Sequence, residues 1–221
     1  MNPLITEVTT GATDALLGLE TIACAIMLWG SLSTDRYKIR LWLGAFGLLV
    51  VASALGALTH GFDISEGLRH RLWQPLFLSL GLMLGLIAVA AMYDRWGPPV
   101  ARRALPLAII AGLGFYGITL AAEGVFLVFV AYESVAIAFA LVVYSQLAAR
   151  HHPGAVFVAA GVSVTLCAAI AQQTDWTVTL IWPLDHNGIF HLIQMPGLLL
   201  ITLGVRRSFG TPAHQEKRGV G

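Results

Sequence analysis

Seven long apolar runs divide this sequence, and they constrain its fold more than any other feature. Each run is close to the roughly 20 residues that a helix needs to cross a bilayer. The runs are continuous, whereas the strands of a membrane barrel would alternate between apolar and polar residues, so they predict helices. They cover residues 13–32, 41–62, 72–92, 105–122, 125–148, 155–171 and 188–205. We therefore expect an all-α integral membrane protein, a bundle of seven transmembrane helices.

The composition agrees with a chain whose main solvent is lipid. Hydrophobic residues make up 57% of the 221 residues and charged residues only 11%, against about 25% charged residues in a typical soluble domain. Seven spans leave little room for a soluble domain, so we predict one seven-helix domain over residues 1–210 and a polar cytoplasmic tail over 211–221. The expected partners are the bilayer and a lipid substrate. A net charge of +1 gives no support for nucleic acid binding, and no particular oligomeric state is predicted.

The distribution of Lys and Arg predicts the orientation, because these residues are held on the cytoplasmic side when they lie in short loops. The first, third and fifth loops and the tail carry most of them: Arg36, Lys38, Arg40, Arg95, Arg102, Arg103, Arg150, Arg206, Arg207, Lys217 and Arg218. The opposite loops hold only Arg69 and Arg71 beside several acidic residues. We expect the amino terminus outside and the carboxyl tail in the cytoplasm. For a multi-pass protein of this kind, the expected location is a bacterial inner (plasma) membrane.

Polar residues of the apolar runs and their ends gather toward the outer end of the predicted bundle. His60 lies in the last turn of the second helix, and His186 and His191 open the seventh, so three imidazoles reach one level of the membrane. Ionisable groups in a span are costly and are functional candidates by default. Other polar candidates at this end are Asp14, Glu20, Gln74 and Glu123, while Glu133 lies deeper in the fifth helix.

Three histidines and one water form a common catalytic zinc site, in which the water occupies an open position. Zinc lowers the pKa of that water to about 7, so that it can attack a carbonyl. His186 and His191 are five residues apart, which is about 140° around an ideal helix. We therefore expect both to face inward only if His186 precedes the regular helix, with Asp185 or Asn187 as the N-cap.

Other polar residues are predicted to assist the metal. Asn187 shares a helix face with His191, four residues later, and could orient a ligand or substrate, as could Gln74. Ser53 lies on the same face as His60 and either bonds the substrate or bonds back to its own helix. Asp14 and Glu20 are both candidates for the proton acceptor, although Asp14 could instead be the N-cap of the first helix.

The second-helix histidine and the His-rich opening of the seventh helix resemble the superfamily of seven-helix membrane hydrolases that includes alkaline ceramidases and the progestin and adipoQ receptors. In that superfamily, a Ser-x-x-x-His pattern on the second helix and a His-x-x-x-His pattern on the seventh hold a zinc ion that hydrolyses lipid amides. The resemblance implies a ceramidase-like, zinc-dependent amidohydrolase of lipid metabolism. It also implies His60, His186 and His191 as the zinc ligands.

The chain departs from the superfamily pattern at three places. Gly56 stands where the superfamily has its second-helix serine, and Asn187 stands where it has the first histidine of the seventh helix. The aspartate of the third helix has no counterpart near Gln74. The segment 185–191, with Asp14 and the pair Thr59-His60, is similar to a bacterial branch related to that superfamily.

Three functions are consistent with these residues. The first is a zinc-dependent intramembrane hydrolase of a lipid amide or ester at the outer leaflet, with Glu20 or Asp14 as the base. The second is a haem- or pigment-binding subunit, in which His60 and His191 supply axial ligands. The third is a sensor or transporter that uses Asp14, Glu20 and Glu133 as an intramembrane carboxylate cluster.

Overall fold

The computed structural model describes residues 3–30, 35–122 and 126–209, and within these ranges the chain is almost entirely helical. Glu123 and the predicted tail lie outside the described residues. The seven helices are α1 (Pro3–Trp29), α2 (Arg36–Gly61), α3 (Glu66–Trp96), α4 (Pro98–Ala121), α5 (Phe126–Ala149), α6 (Ala155–Gln172) and α7 (His186–Ser208). Each is long and apolar enough to cross a membrane, which agrees with the number and type of elements predicted from the apolar runs.

The helices extend beyond the apolar runs at both ends of the bundle. Helix α1 begins at Pro3, ten residues before the predicted start, so Asp14 lies well inside the helix and the N-cap interpretation was wrong. Arg36, Lys38 and Arg40 belong to the first turns of α2, not to the loop in which we expected them. The cause is that polar and charged residues continue a helix readily once its axis has left the hydrocarbon layer, whereas hydropathy registers only the apolar part.

Six of the helices form a closed ring, and the remaining helix, α4, lies outside it. Around the ring, α1 packs on α2, α2 on α3, α3 on α5, α5 on α6, α6 on α7, and α7 back on α1. Helix α4 packs mainly on the outer side of α3. Its other face carries exposed apolar side chains such as Leu107 and Ile110, as expected of a helix with lipid on one side.

Glycines allow the closest helix contacts. A Cβ on Gly81 would lie 2.5 Å from a ring carbon of Phe115 in α4, and one on Gly85 would lie 3.1 Å from the backbone oxygen of Ala108. Gly81 and Gly85 form a Gly-x-x-x-Gly pair, and this spacing lets α3 and α4 approach closely within the bundle. Helices α6 and α7 approach in the same way, since a Cβ on Gly161 would lie 2.6 Å from the backbone oxygen of Gly197.

The connection between α6 and α7 is a short hairpin that reaches over α1. Strands β1 (Val178–Thr179) and β2 (Pro183–Leu184) pair antiparallel, and the exposed Trp176 and Trp182 flank the first strand and its turn. The side chain of Asp185 caps α7 by accepting from the Gly188 backbone N–H (2.9 Å), and the same oxygen accepts from the Thr10 hydroxyl of α1 (2.7 Å). This contact fixes the start of α7 against α1.

The two ends of the ring differ in chemistry. We call the end where α1 and α7 begin and α2 ends the histidine end, because His60 and His186 lie there. At the opposite end, the lysine end, the buried Lys38 ammonium lies 2.5 Å from Asp94 and donates to Ser208 (2.6 Å). The Tyr144 hydroxyl donates to the other oxygen of Asp94 (2.9 Å). This cluster joins α2, α3, α5 and α7.

Candidate functional site

A cavity of about 450 Å³ lies inside the ring, within the range of about 300–1,000 Å³ that is typical of small-molecule sites. All six ring helices contribute residues to its wall, and α4 contributes none. Polar side chains concentrate near the histidine end, whereas the wall toward the lysine end consists of Trp42, Phe46, Leu84, Ile137 and Ile201. On α7 the wall runs from residue 186 to residue 201, a length of about 22 Å at the rise of an α-helix.

The buried imidazole of His191 is held between two residues of α1. Its Nδ1 lies 2.9 Å from the Thr13 hydroxyl, and its Nε2 lies 3.2 Å from Oδ1 of Asp14. When the Thr13 hydroxyl donates its one hydrogen to the backbone oxygen of Thr10, it accepts from Nδ1–H in the matching tautomer of His191. In a neutral ring Nε2 then carries a lone pair that faces a carboxylate oxygen. Such a contact is favourable only when a proton or a metal ion lies between the two atoms.

The Asp14 carboxyl is buried against the backbone of Gly56 in α2. A Cβ at residue 56 would lie 2.6 Å from Oδ2 and 2.7 Å from Oδ1 of that carboxyl, much closer than any ordinary contact. Only glycine leaves the space, so Gly56 is the residue that admits a carboxylate from α1.

His60 projects into the same cavity from the end of α2. Its Nδ1 lies 2.9 Å from Oε2 of Glu7, and the edge of its ring packs against Trp73, with 5.7 Å between the ring centres. A carboxylate that accepts from one imidazole nitrogen leaves the other free as an acceptor, which is the usual arrangement around a metal-ligating histidine.

His186 and Asn187 line the cavity from the first turn of α7. Asp185 is the N-cap, one of the two predicted, and His186 is the first residue of the helix rather than the residue before it. Our condition for its facing the cavity was therefore wrong, because His186 and His191 both line the cavity although His186 is already helical. Asn187 accepts a hydrogen bond from Gln172 of α6 (3.0 Å) through its side-chain oxygen.

The structure brings most of the sequence-predicted residues to this cavity, but not all of them. The wall includes Asp14, Ser53, His60, His186, Asn187 and His191. Ser53 makes no hydrogen bond with any described residue. Glu20 and Gln74 are not part of the wall, and one side-chain oxygen of each is buried without a hydrogen-bond partner among the described residues.

The residues fit a metal ion in their chemistry and only in part in their spacing. Over residues 3–30, 35–122 and 126–209, no group of three or more His, Cys, Asp or Glu side chains is placed to hold a metal ion as it stands. The 3.2 Å between Asp14 and His191 does match adjacent ligands of a tetrahedral zinc, which are about 3.3 Å apart for bonds of about 2.0 Å. The imidazoles of His60 and His186, which line the same cavity, are the other candidate donors.

Sequence reasoning missed several residues of the site. Glu7 and Thr13 hold the two histidines by their Nδ1 atoms, and nothing in their local sequence marks them. Gln194 was missed although it had a signal, since it follows His191 by three residues on the same helix face. Its side-chain oxygen is buried without a hydrogen-bond partner in the part of the chain that the structure describes.

These features define the class as a bundle of seven membrane-length helices around a cavity lined by histidines and carboxyls. The chain belongs to a family of unknown function, DUF6962, whose model matches residues 9–208. The match begins next to Thr10 and ends with α7, so it contains every cavity-lining residue, while Glu7 precedes it. No curated protein and no solved structure matches the chain.

Proposed function

We propose that this protein is a zinc-dependent membrane hydrolase that cleaves a lipid amide or ester. The observation that carries the proposal is the contact between His191 Nε2 and Asp14 Oδ1 (3.2 Å), with Nδ1 of the same ring bonded to Thr13. Two acceptor atoms that face each other in a buried site favour a cation beside them. A zinc ion on Nε2 of His191 would supply it, with His60 and His186 completing the three-histidine donor set of a catalytic site and Asp14 beside the metal but not bound to it.

In this proposal His60, His186 and His191 hold the zinc ion, and Asp14 is the proton acceptor. Glu7 and Thr13 orient the first and last of these rings by hydrogen bonds to their Nδ1 atoms, as outer partners of metal-ligating histidines commonly do. A zinc ion held there would polarise the substrate carbonyl as a Lewis acid. Asp14 is chosen over Glu20 because its carboxyl lines the cavity and that of Glu20 does not.

The proposed reaction adds one water across the bond between the acyl carbon and nitrogen or oxygen. The hydroxyl of the water joins the acyl carbon, and its proton passes through the Asp14 carboxylate to the leaving nitrogen or oxygen. A fatty acid and an amine or alcohol result. Asn187, at the same end of the cavity, is suited to orient the polar part of the substrate.

The shape of the cavity supports a lipid substrate. The apolar wall below the histidines, which includes Trp42, Phe46 and Ile201, would hold one extended acyl chain, with its carbonyl near Asp14. We infer further that the helices cross a bacterial plasma membrane with the amino terminus outside. The basic residues at the ends of α3 and α7 would then face the cytoplasm, and substrate would enter from the outer leaflet.

Metal analysis of protein purified without chelators tests the proposal. We expect about one zinc per chain, as an open three-histidine site would hold. The zinc should be lost in His191→Ala and in His60→Ala. The matched control is His70→Ala, which removes an exposed histidine that does not line the cavity and should retain the metal. Metal-free wild-type protein, or equal loss of zinc in the control, would refute the proposed site, and a haem absorption band would favour the pigment-binding alternative.

An activity assay then separates a catalytic metal from a structural one. Lipid amides and esters with a labelled acyl chain are presented in micelles, and release of labelled fatty acid is followed for wild type and Asp14→Asn. We expect loss of turnover by about 100-fold or more in Asp14→Asn, the scale of a general base, with zinc retained. Zinc-loaded protein that releases no fatty acid from either bond type would contradict the hydrolase proposal while leaving the metal site intact.

A further inference from the structure

A second carboxyl in the same cavity has no part in the proposed hydrolysis. Glu133 lies seven residues into α5 and is 7% exposed, and it belongs to the cavity wall. The residues of α5 that line the cavity include Phe126, Phe129, Ile137 and Ala140, spaced three to four residues apart on one helix face. Glu133 is in the middle of that face, so its carboxyl interrupts an otherwise apolar stretch of wall.

This carboxyl has no protein partner among the described residues. Neither an ion pair nor a hydrogen bond connects Glu133 with any residue of 3–30, 35–122 or 126–209, although its neighbour Tyr132 donates to the Gly81 backbone oxygen. A carboxyl buried without a partner is costly to a fold. Where such a group faces a cavity inside a membrane-type bundle, the expected partner is a ligand.

The charge of the wall indicates the sign of that ligand. Among the described residues, those that line the cavity include the carboxyls of Asp14 and Glu133 and no Lys or Arg. The nearest buried ammonium group, that of Lys38, is engaged with Asp94 at the lysine end. Beside Glu133 an anionic ligand would meet a carboxyl and no Lys or Arg, whereas a cation would find a counter-ion and lose little by leaving water.

Aromatic residues around the carboxyl favour a cation as well. Phe129 precedes Glu133 by one helical turn on the same face, and Trp42, Phe46 and Trp73 also line the cavity. Aromatic faces attract ammonium groups by about 0.5–2 kcal/mol at desolvated sites. A carboxylate within an aromatic and aliphatic wall is the combination that recognises an amine attached to a hydrocarbon chain.

We propose that the cavity binds an amphiphilic organic amine whose ammonium group pairs with Glu133 and whose hydrocarbon chain lies along the apolar wall toward the lysine end. This inference concerns what the cavity binds and does not depend on zinc or on hydrolysis. It also assigns Glu133 as the residue that selects for an amine over an alcohol or an acid of the same length.

The test uses three ligands with one chain length. Decylamine, decanol and decanoic acid are titrated into the full-length protein in a neutral maltoside detergent, and binding is followed by quenching of tryptophan fluorescence and by thermal shift. We expect decylamine to bind at least about tenfold more tightly than decanol, which is about 1.4 kcal/mol, and decanoic acid to bind most weakly. Equal or tighter binding of the alcohol or the acid would overturn the proposal.

A pair of variants assigns the selectivity to one carboxyl. Glu133→Gln keeps the shape of the side chain and should lower decylamine affinity by at least about tenfold, again about 1.4 kcal/mol, while leaving decanol unchanged. The matched control is Glu20→Gln, another carboxyl within the helices that does not line the cavity, and it should bind decylamine as wild type does. Unchanged amine affinity in Glu133→Gln would overturn the assignment. If that variant does not fold, the comparison of the three ligands on wild type decides alone.

Metal-stripped protein should show the same selectivity as the protein as purified. The hydrolase proposal could therefore fail while the amine site holds, and the amine site could fail while zinc and turnover remain.

Discussion

Replacing Gly56 by alanine adds one methyl group at the point where α2 meets the Asp14 carboxyl, and it should disturb the site far more than the fold. The new Cβ would lie 2.6 Å from Oδ2 and 2.7 Å from Oδ1 of Asp14, whereas ordinary contacts begin at 3.4 Å. The obstructing atoms are the far end of a side chain and not a helix backbone. The carboxyl can therefore withdraw by most of an ångström while α1 and α2 keep their positions.

That withdrawal would break the contact on which the proposed function rests. Oδ1 now lies 3.2 Å from His191 Nε2, close to the upper limit of a hydrogen bond, so a shift of this size separates the two groups. Overpacking of this kind costs about 1–3 kcal/mol. We expect Gly56→Ala to lower the free energy of unfolding by that amount and to reduce turnover, because it displaces the proposed proton acceptor, while zinc is retained.

The matched control lies on the same helix. A Cβ on Gly47 would meet nothing within 4 Å, so Gly47→Ala should be neutral or stabilise α2 by up to about 1 kcal/mol through helix propensity. The assay is unfolding in mixed micelles with increasing SDS, followed by far-UV circular dichroism. Zinc content and turnover are measured on the same samples.

A double-mutant cycle isolates the cause. In an Asp14→Ala background the added methyl group meets no carboxyl, so Gly56→Ala should then cost nothing measurable, with a coupling of about 1 kcal/mol or more between the two positions. Additive effects, or a Gly56→Ala protein as stable and as active as Gly47→Ala, would refute the packing of Asp14 against Gly56.

Three further changes test other contacts. Lys38→Met leaves Asp94 buried and unpaired and should cost about 3–5 kcal/mol in the same unfolding assay, much of it recovered when Asp94→Leu is added; no recovery would mean that the ion pair is not the cause. Thr13→Val removes the acceptor for Nδ1–H of His191 and should weaken zinc binding about 10- to 100-fold in competition with a chelating dye, an effect that a purely structural threonine would not have. Gly161→Ala places a Cβ 2.6 Å from a backbone oxygen of α7 and should destabilise the protein by about 1–3 kcal/mol. Gly47→Ala, whose Cβ meets nothing within 4 Å, is again the control.

The fold class could be predicted from the sequence because it depends on one strong signal. Hydrocarbon demands long apolar helices, so the number and approximate position of the helices follow from hydropathy. The ends of the helices do not follow from hydropathy, because the charged and polar turns around Thr10 and Lys38 are helical without being apolar. Hydropathy also contains no information on which helix faces which, and the position of α4 outside the ring had no signal in the sequence.

The histidines of the candidate site were predictable as individual residues, and their partners were not. His60, His186 and His191 are conspicuous because imidazoles are rare in apolar runs. Glu7 became a partner of one of them only because α1 begins ten residues before its apolar run and crosses α2 at that level. Contacts between distant helices depend on crossing geometry, to which a single sequence gives no access.

The position of Asp14 shows how information from the sequence and from the structure combines. Asp14 and Gly56 are both visible in the sequence, but neither one explains the other there. A glycine is needed at position 56 only because the Asp14 carboxyl packs against it. The sequence shows both residues, and only the structure shows that the glycine makes room for the carboxyl.

The lysine end holds a buried ion pair that a ligand of the cavity need not disturb. Lys38 and Asp94 are paired there, and Tyr144 donates to the second oxygen of the same carboxylate. Removing one partner of a buried pair costs about 3–5 kcal/mol. A ligand that enters and leaves at the histidine end keeps this pair intact, whereas a solute that crossed this cluster would have to separate it.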